Sequence, residues 1–276
     1  MQSKKDNSRI SRQGEINMDQ RERRQFLIQE LLKENTEYEG IIIPDTEQGQ
    51  KDLLRSLMNV RMPGAIREEF QKVQDEYLQE ENRKNGITDI ADLSHSNLDE
   101  RIYLWKGDIT ELRVDAIVNA ANSQMCGCFR AMHNCVDNII HSKAGIELRL
   151  CCYDMMQAQG HEEPTGKAKI TPGYNLPCRY VIHTVGPIVQ GRLKKKHEEL
   201  LASCYRSCLE LAEQNGVKSI AFCCISTGVF MFPNRRATQI AVETVRTYYA
   251  ETGSQMKVVF NVFKDEDLKI YRRILM

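Results

Sequence analysis

Hydrophobic positions recur along this chain at two spacings, and each spacing predicts a different kind of element. From Gln20 the apolar residues return with helical period. Leu27, Ile28, Leu31 and Leu32 share one face, and Leu53, Leu54, Leu57, Met58 and Val60 repeat the idea. Beyond the turn at Met62-Pro63-Gly64, Phe70, Val73 and Tyr77 form a third stripe amid Glu, Lys and Gln. No strand-like run interrupts this part. Its acidic and basic residues read as solvated faces rather than as a site. The region is too poor in apolar residues to stand as an independent domain. Residues 19–98 are therefore expected to be a helical N-terminal extension packed on the main domain. Residues 1–18 are polar and aperiodic, and are expected to be disordered.

Near Asn97 the pattern changes. "IYLW" (Ile102 to Trp105) and "DAIVNAAN" (Asp115 to Asn122) read as strands, and a helix is predicted from the segment after them through about Gln159. "AKIT" and "YVIHTV" read as strands around a loop bearing Pro and Gly. Glu198 to Asn215 is helical, "SIAFCCIS" is a buried strand, and "TGVFMFP" turns into a helix starting near Asn234. A helix over Arg235 to Glu251, the strand "KVVFNVF" and a last helix from Glu266 complete the chain. Strands alternating with helices predict an α/β domain over residues 99–276, with a mostly parallel sheet covered on both faces. Ligands in such sheets bind beyond the C-terminal ends of the strands, which directs attention to the polar loops there.

Composition narrows the function classes. The 276 residues hold 41% hydrophobic positions, enough for a real core. Lys plus Arg equals Asp plus Glu at 38 each, so net charge gives no general pull toward nucleic acid or anionic membrane. No apolar run approaches the length of a membrane-spanning helix. The polar start "MQSKKDNSRISRQGEINMDQ" has no apolar signal core, so a cytoplasmic location is expected. In that setting the ten cysteines read as reduced thiols. Cys151-Cys152 and Cys223-Cys224, in apolar surroundings, read as small buried hydrophobes.

Four loops carry candidate chemistry. In "KGDIT" the carboxylate of Asp108 can accept from an amino group or a sugar hydroxyl, or it can merely make a turn. In "NAANS" the two asparagines, Asn119 and Asn122, have side chains that suit ribose hydroxyls, or an Asx turn. In "ISTGVFMFP", Ser226, Thr227 and Gly228 present successive backbone N–H groups that suit a diphosphate, while Phe230 and Phe232 either stack on a ligand or anchor the loop. The stretch "MCGCFRAMHNCVDNIIH" places Cys128, His133 and Cys135 in a C-x4-H-x-C arrangement. Thiolate and imidazole are ligands that zinc prefers, and three of them with a vacant position is how catalytic zinc sites are built. The alternative is a set of ordinary core thiols. Cys126 offers a fourth ligand from a tight Gly turn, whereas His141 should face elsewhere. Asp137, at a helix start, either orients a hydroxyl or a water, or caps the helix.

From Leu104 to Tyr271 the chain resembles a macrodomain. "GDIT", "DAIVNAAN", "PTGKAKITPGYNLPCRYVIHTVGP" and "CISTGVFMFP" stand in that family's order and spacing. The longer loop carrying Cys128, His133 and Cys135, followed by "VDNIIH", resembles the zinc-dependent subgroup of protein-ADP-ribose hydrolases associated with a sirtuin-type transferase. "LLRSLMNVRMPGAIREEFQKVQDEYLQEE" resembles the extension that precedes that subgroup's domain. The resemblance implies a three-layer α/β/α fold and removal of mono-ADP-ribose from protein Asp or Glu side chains. It implies that Asp108 takes the adenine amino group with Ile109 beside it. Ser226, Thr227, Gly228, Val229 and Phe230 would line the diphosphate and distal ribose. Cys128, His133 and Cys135 would hold Zn2+ there, and Asn122 would hold the distal ribose. Asn122 and Asp137 are the residues expected to be catalytic, Asp137 by orienting a hydroxyl or a water. Three departures stand out: Arg130-Ala131-Met132 between the ligands, Cys126 in place of Leu, and Met231 in place of Gly. If position 231 needs a positive φ, Met is strained there. The expected partners are an ADP-ribosylated protein, ADP-ribose itself and a sirtuin-type transferase, with no nucleic acid and no membrane. The alternatives are an ADP-ribose reader without turnover, and a zinc that only staples its loop.

Overall fold

The computed structural model describes residues 18–276. The disorder expected for residues 1–17 lies outside the described residues, and Met18 is partly buried against the first helices. Three helices open the fold: α1 (Gln20–Lys33), α2 (Glu47–Val60) and α3 (Glu68–Asn85). Their starts follow from local chemistry. The Asp19 side chain accepts from the Glu22 N–H, and the Glu22 carboxylate accepts in turn from the Asp19 N–H. Thr46 caps α2 through the Gly49 N–H. The apolar stripes then meet in one cluster of Leu27, Ile28, Leu31, Leu54, Leu57, Met58, Phe70, Val73 and Tyr77, completed by Ile146 from the main domain.

Eight strands and five more helices follow this bundle. Thr88–Asp89 (β1) pairs in parallel with Leu112–Arg113 (β3), a two-residue ladder that the sequence pattern does not reveal. The main sheet comprises Ile102–Lys106 (β2), Ala116–Ala121 (β4), Ala168–Pro172 (β5), Tyr180–Val185 (β6), Ser219–Phe222 (β7) and Lys257–Val262 (β8). Its order is β2-β8-β7-β4-β6-β5, parallel throughout except for β5 against β6. Consecutive residues Ala116, Ile117 and Val118 are all fully buried, so both faces of the sheet are covered. The covering helices are Val136–Ala144 (α4), Ile146–Gln159 (α5), Lys195–Gln214 (α6), Asn234–Thr252 (α7) and Asp265–Leu275 (α8). The single helix expected through Gln159 is broken into α4 and α5 at Gly145. That residue adopts φ 107°, and a side chain there would collide with Gln74 and Glu147. Among the described residues, no helix is long and apolar enough to cross a membrane.

The polar faces of the extension are not uniformly solvated. Gln74 is fully buried, donates to Glu147 at 2.6 Å and accepts from the Ile146 N–H at 3.0 Å. Arg149 sends one guanidinium nitrogen to the carbonyls of Met58, Asn59 and Arg61, which satisfies the open end of α2. Asn175 donates to Asp75 at 2.7 Å and to the Ala144 carbonyl at 2.9 Å, and its own carbonyl accepts from Asn82. Periodicity cannot distinguish these residues from solvated ones, because their partners lie on another segment. Truncating Asn175 to Ala should strand buried partners and lower stability by about 1–3 kcal/mol in urea unfolding. A change within error would show that this junction is dispensable.

Candidate active site

The parallel strands bring the predicted loops to one rim. Asp108 follows β2, Asn122 follows β4, and Ser226 lies just beyond β7. The Asp108 carboxylate accepts from the Thr110 N–H at 3.0 Å and from its hydroxyl, and pairs with Lys143 of α4 at 3.0 Å. Burial works against its charge, but Lys143 and Thr110 outweigh it and hold the carboxyl below its ordinary value. Ile109 beside it is buried. Phe263, which follows β8 where Val262 pairs with Gly107, is 72% exposed at the same end of the rim. The hydrophobic pattern assigns Phe263 to the strand. The signal that separates it is its place, an aromatic residue just past a parallel strand's C-terminal end.

The loop after β7 is a set of nested turns. The N–H groups of Thr227, Met231 and Phe232 donate to the carbonyls of Cys224, Gly228 and Ser226. Among the described residues, the N–H groups of Gly228, Val229 and Phe230 donate to no protein group. Of the three donors expected, Ser226 and Gly228 keep an open N–H, whereas Thr227 is already engaged. Ser226 and Met231 both take positive φ, at 64° and 54°. The strain anticipated at Met231 is present, and its side chain lies in solvent. Ser226 is buried with its hydroxyl unpartnered, directed at Gly186, where any side chain would occupy the same space. Phe232 is a core anchor, whereas Phe230 is half-buried.

Asn122 spends much of its side chain on an Asx turn. Its oxygen accepts from the Gln124 and Met125 N–H groups, and its amide donates to the Gly127 carbonyl at 3.1 Å. One amide hydrogen remains for a ligand. Asp137 lies deeper. It is 4% exposed, accepts from Asn119 at 2.7 Å and has the His141 ring at 3.6 Å. Helix α4 is capped by Cys135, whose sulfur accepts from the Asn138 N–H, and not by Asp137. Burial pushes the Asp137 carboxyl up to about 6, against the opposing pull of Asn119 and Arg149.

Cys128, His133 and Cys135 converge. Their three donor atoms lie within 4.8 Å of one another, all half-buried. Cys128 Sγ stands 3.4 Å from His133 Nδ1. A tetrahedral zinc with ordinary bond lengths would hold those two atoms about 3.6 Å apart. Burial, and then the neighbouring charges, push the Cys135 thiol up to about 11, a situation that a bound cation reverses. Among the described residues, no other Cys, His, Asp or Glu joins this group, so Cys126 stays outside it. His141 groups instead with Cys152 and His183 in the interior. The His183 ring shares hydrogen bonds with Asn119 and Thr171 at 3.1 and 3.0 Å, the environment of a satisfied core histidine.

Comparison with known proteins gives this arrangement its family. The Macro domain model matches residues 118–241. A protein-ADP-ribose hydrolase of Treponema medium is 58% identical over 262 residues, covering 94% of this chain and all of that one. The chain belongs to the macrodomain protein-ADP-ribose hydrolases. The Trypanosoma brucei macrodomain, solved in complex with ADP-ribose, is 32% identical with a TM-score of 0.62, covering 80% of this chain and 95% of that one. A longer Fusarium oxysporum f. sp. cubense protein, whose name couples ADP-ribose hydrolase to ADP-ribosyltransferase, is 42% identical over 241 residues, covering 81% of this chain and 40% of that one. The three-layer fold expected from the motifs is the macrodomain fold, and the rim of loops lies where its parallel strands end.

The buried carboxyl of this macrodomain yields a pH test. Asp137 binds its proton more tightly in the folded state than in the unfolded chain. Its contribution is therefore full below the ordinary carboxylate value and is lost as pH rises through about 6. The shift corresponds to at most about 3 kcal/mol. Asp137→Asn should be at least as stable as wild type near neutral pH, and its advantage should shrink as acid protonates the wild-type carboxyl. Urea midpoints for both proteins across the acid range check this. A variant weaker than wild type at neutral pH would show that the charged form is favoured.

Proposed function

We propose that the protein removes mono-ADP-ribose from Asp or Glu side chains of modified proteins, with a Zn2+ held by Cys128, His133 and Cys135 at the distal-ribose end. The convergence of those three donors carries the reading. A three-ligand zinc supplies Lewis acidity to an oxygen of the scissile end while leaving a position open. The residues of the chain do the rest. Asp108, kept anionic beside Lys143, accepts from the adenine amino group, and Phe263 offers an aromatic face next to it. The open N–H groups of Gly228, Val229 and Phe230 suit the diphosphate. Asn122 fixes the distal ribose with its remaining amide hydrogen. Asp137 acts from behind, by holding Asn119 and the start of α4 in place.

The name of the Fusarium relative supports one further part of the reading: the modified substrate is made by an ADP-ribosyltransferase, of sirtuin type as the motifs imply. A second reading, a reader that binds ADP-ribose without turnover, draws support from the burial of Asp137 and the engagement of Asn122. Asp137 then offers no free base at the rim, and Asn122 keeps little of its hydrogen-bonding capacity for a ligand.

Release of ADP-ribose from proteins modified on Asp or Glu separates the two. Cys128→Ser and His133→Ala should lose zinc, measured by elemental analysis, and lose about 10- to 100-fold or more in release rate. Their ADP-ribose affinity should stay near wild type by calorimetry. Asp108→Ala should do the reverse, weakening ADP-ribose binding about tenfold while retaining zinc, as expected for loss of a hydrogen bond to a charged group. Tight binding by wild type without any release would establish the reader. Full release by a folded, zinc-free variant would remove the metal from the chemistry.

A further inference from the structure

The loop that bears the metal ligands has no regular secondary structure, yet most of its carbonyls are held by hydrogen bonds. Residues 128–135 form no helix or strand of their own. Asn138, fully buried on α4, donates to the carbonyls of Cys128 at 3.2 Å and Arg130 at 2.8 Å. Asn59 of α2, 1% exposed, donates to the Ala131 carbonyl at 2.9 Å. Arg55 of α2 donates to the His133 carbonyl at 2.8 Å. The same two α2 side chains both donate to the Asn138 oxygen, each at 2.9 Å. On the other flank, the Arg149 guanidinium that closes the end of α2 lies 4.3 Å from the centroid of the Phe129 ring.

We propose that the N-terminal extension is part of the metal site: Arg55 and Asn59 are positioning residues that hold the Cys128–Cys135 loop, through its carbonyls and Asn138, in its ligand-binding conformation. The inference rests on the zinc reading of the proposed function. An irregular loop with three ligands must be ordered before all three can meet one ion, and that ordering costs conformational entropy. Ordinary loops are ordered by apolar anchors, but here the segment between Cys128 and His133 is Phe129-Arg130-Ala131-Met132, with Phe129 only half-buried and Arg130 and Met132 exposed. A polar grip takes the place of the apolar anchor. The bonds from Arg55 and Asn59 reach across 72 to 83 positions of sequence, so that part of the grip exists only when α2 is docked. Groups behind metal ligands typically set affinity by about 10- to 100-fold.

The full-length chain, stripped and reloaded, provides the test. Zinc affinity is read by competition with a chromogenic chelator, and site geometry by the thiolate and ligand-field absorption of the cobalt-loaded protein. Arg55→Ala is the first variant, since Arg55 is only half-buried and its removal leaves the core of α2 intact. Asn59→Ala is the second, and Arg55→Lys the conservative rescue. Arg23→Ala is the control, because it breaks the Arg23–Glu76 pair between α1 and α3 without touching the loop. The expected result is zinc affinity lowered about 10- to 100-fold and an altered cobalt spectrum in the two Ala variants. Arg55→Lys should recover part of the loss, and Arg23→Ala should bind zinc like wild type. Wild-type zinc affinity and spectrum in Arg55→Ala and Asn59→Ala would overturn the inference while leaving the metal reading intact. So would an equal loss in Arg23→Ala, which would make the extension a general prop. A wild-type protein that takes up neither metal would bring down the metal reading itself, and the inference with it.

Discussion

One buried carboxamide organises the functional end of this molecule. Asn138 uses all of its hydrogen-bonding capacity at once: two donors to loop carbonyls and two bonds accepted from α2. It is fully buried, so each of these bonds is needed to offset removal of the group from water. Its backbone N–H goes to the Cys135 sulfur, which caps α4. A single residue therefore ties together the helical extension, the ligand loop and the helix on which that loop ends. Alanine there would remove all four bonds at once and leave Arg55 and Asn59 gripping the loop through the His133 and Ala131 carbonyls.

Much of the fold is legible because hydrophobic periodicity reports burial against the chain's own sheet. The strands that follow turn signals, and the Leu and Ile stripes of α1 and α2, need only local information. The loops at the strand ends are legible for a related reason: small and polar residues there leave room for a ligand. What the pattern cannot report is polarity buried by pairing. Arg55, Asn59, Gln74 and Asn82 look like solvated positions on amphipathic helices, and Gln74 and Asn59 prove almost completely inaccessible. Their partners are carbonyls and carboxylates on segments far away in sequence, and no one-dimensional spacing records them. The Gly145 break has the same origin, since the obstacle to a side chain there is supplied in part by Gln74 of the extension.

The two polar candidates of the catalytic region also show why residue type underdetermines role. Asn122 is at the expected strand end, but a turn uses most of its side chain before any ligand arrives. Asp137 is at the expected helix start, yet the capping position belongs to Cys135, two residues nearer the loop. The carboxyl then points inward to Asn119, in an environment that raises its affinity for a proton. Both residues are within a few positions of the Cys128–His133–Cys135 cluster in sequence. Their side chains nonetheless serve the scaffold of the site first.

Helix α4 explains how the two ends of the site are kept in register. Its first turn carries Cys135 as cap and Asn138 as the loop's anchor, so its N-terminal end is fixed to the Cys128–His133–Cys135 cluster. Its last turn carries Lys143, which pairs with Asp108 and Glu111 beyond β2. From position 135 to position 143 a helix rises about 12 Å. Because both ends are tied, that rise becomes a fixed separation between the Cys/His cluster and the Asp108 carboxylate. A ligand that engages both must match it. The extension fixes the first anchor and the sheet fixes the second, so the spacing of the site is a property of how the two parts of the chain are joined.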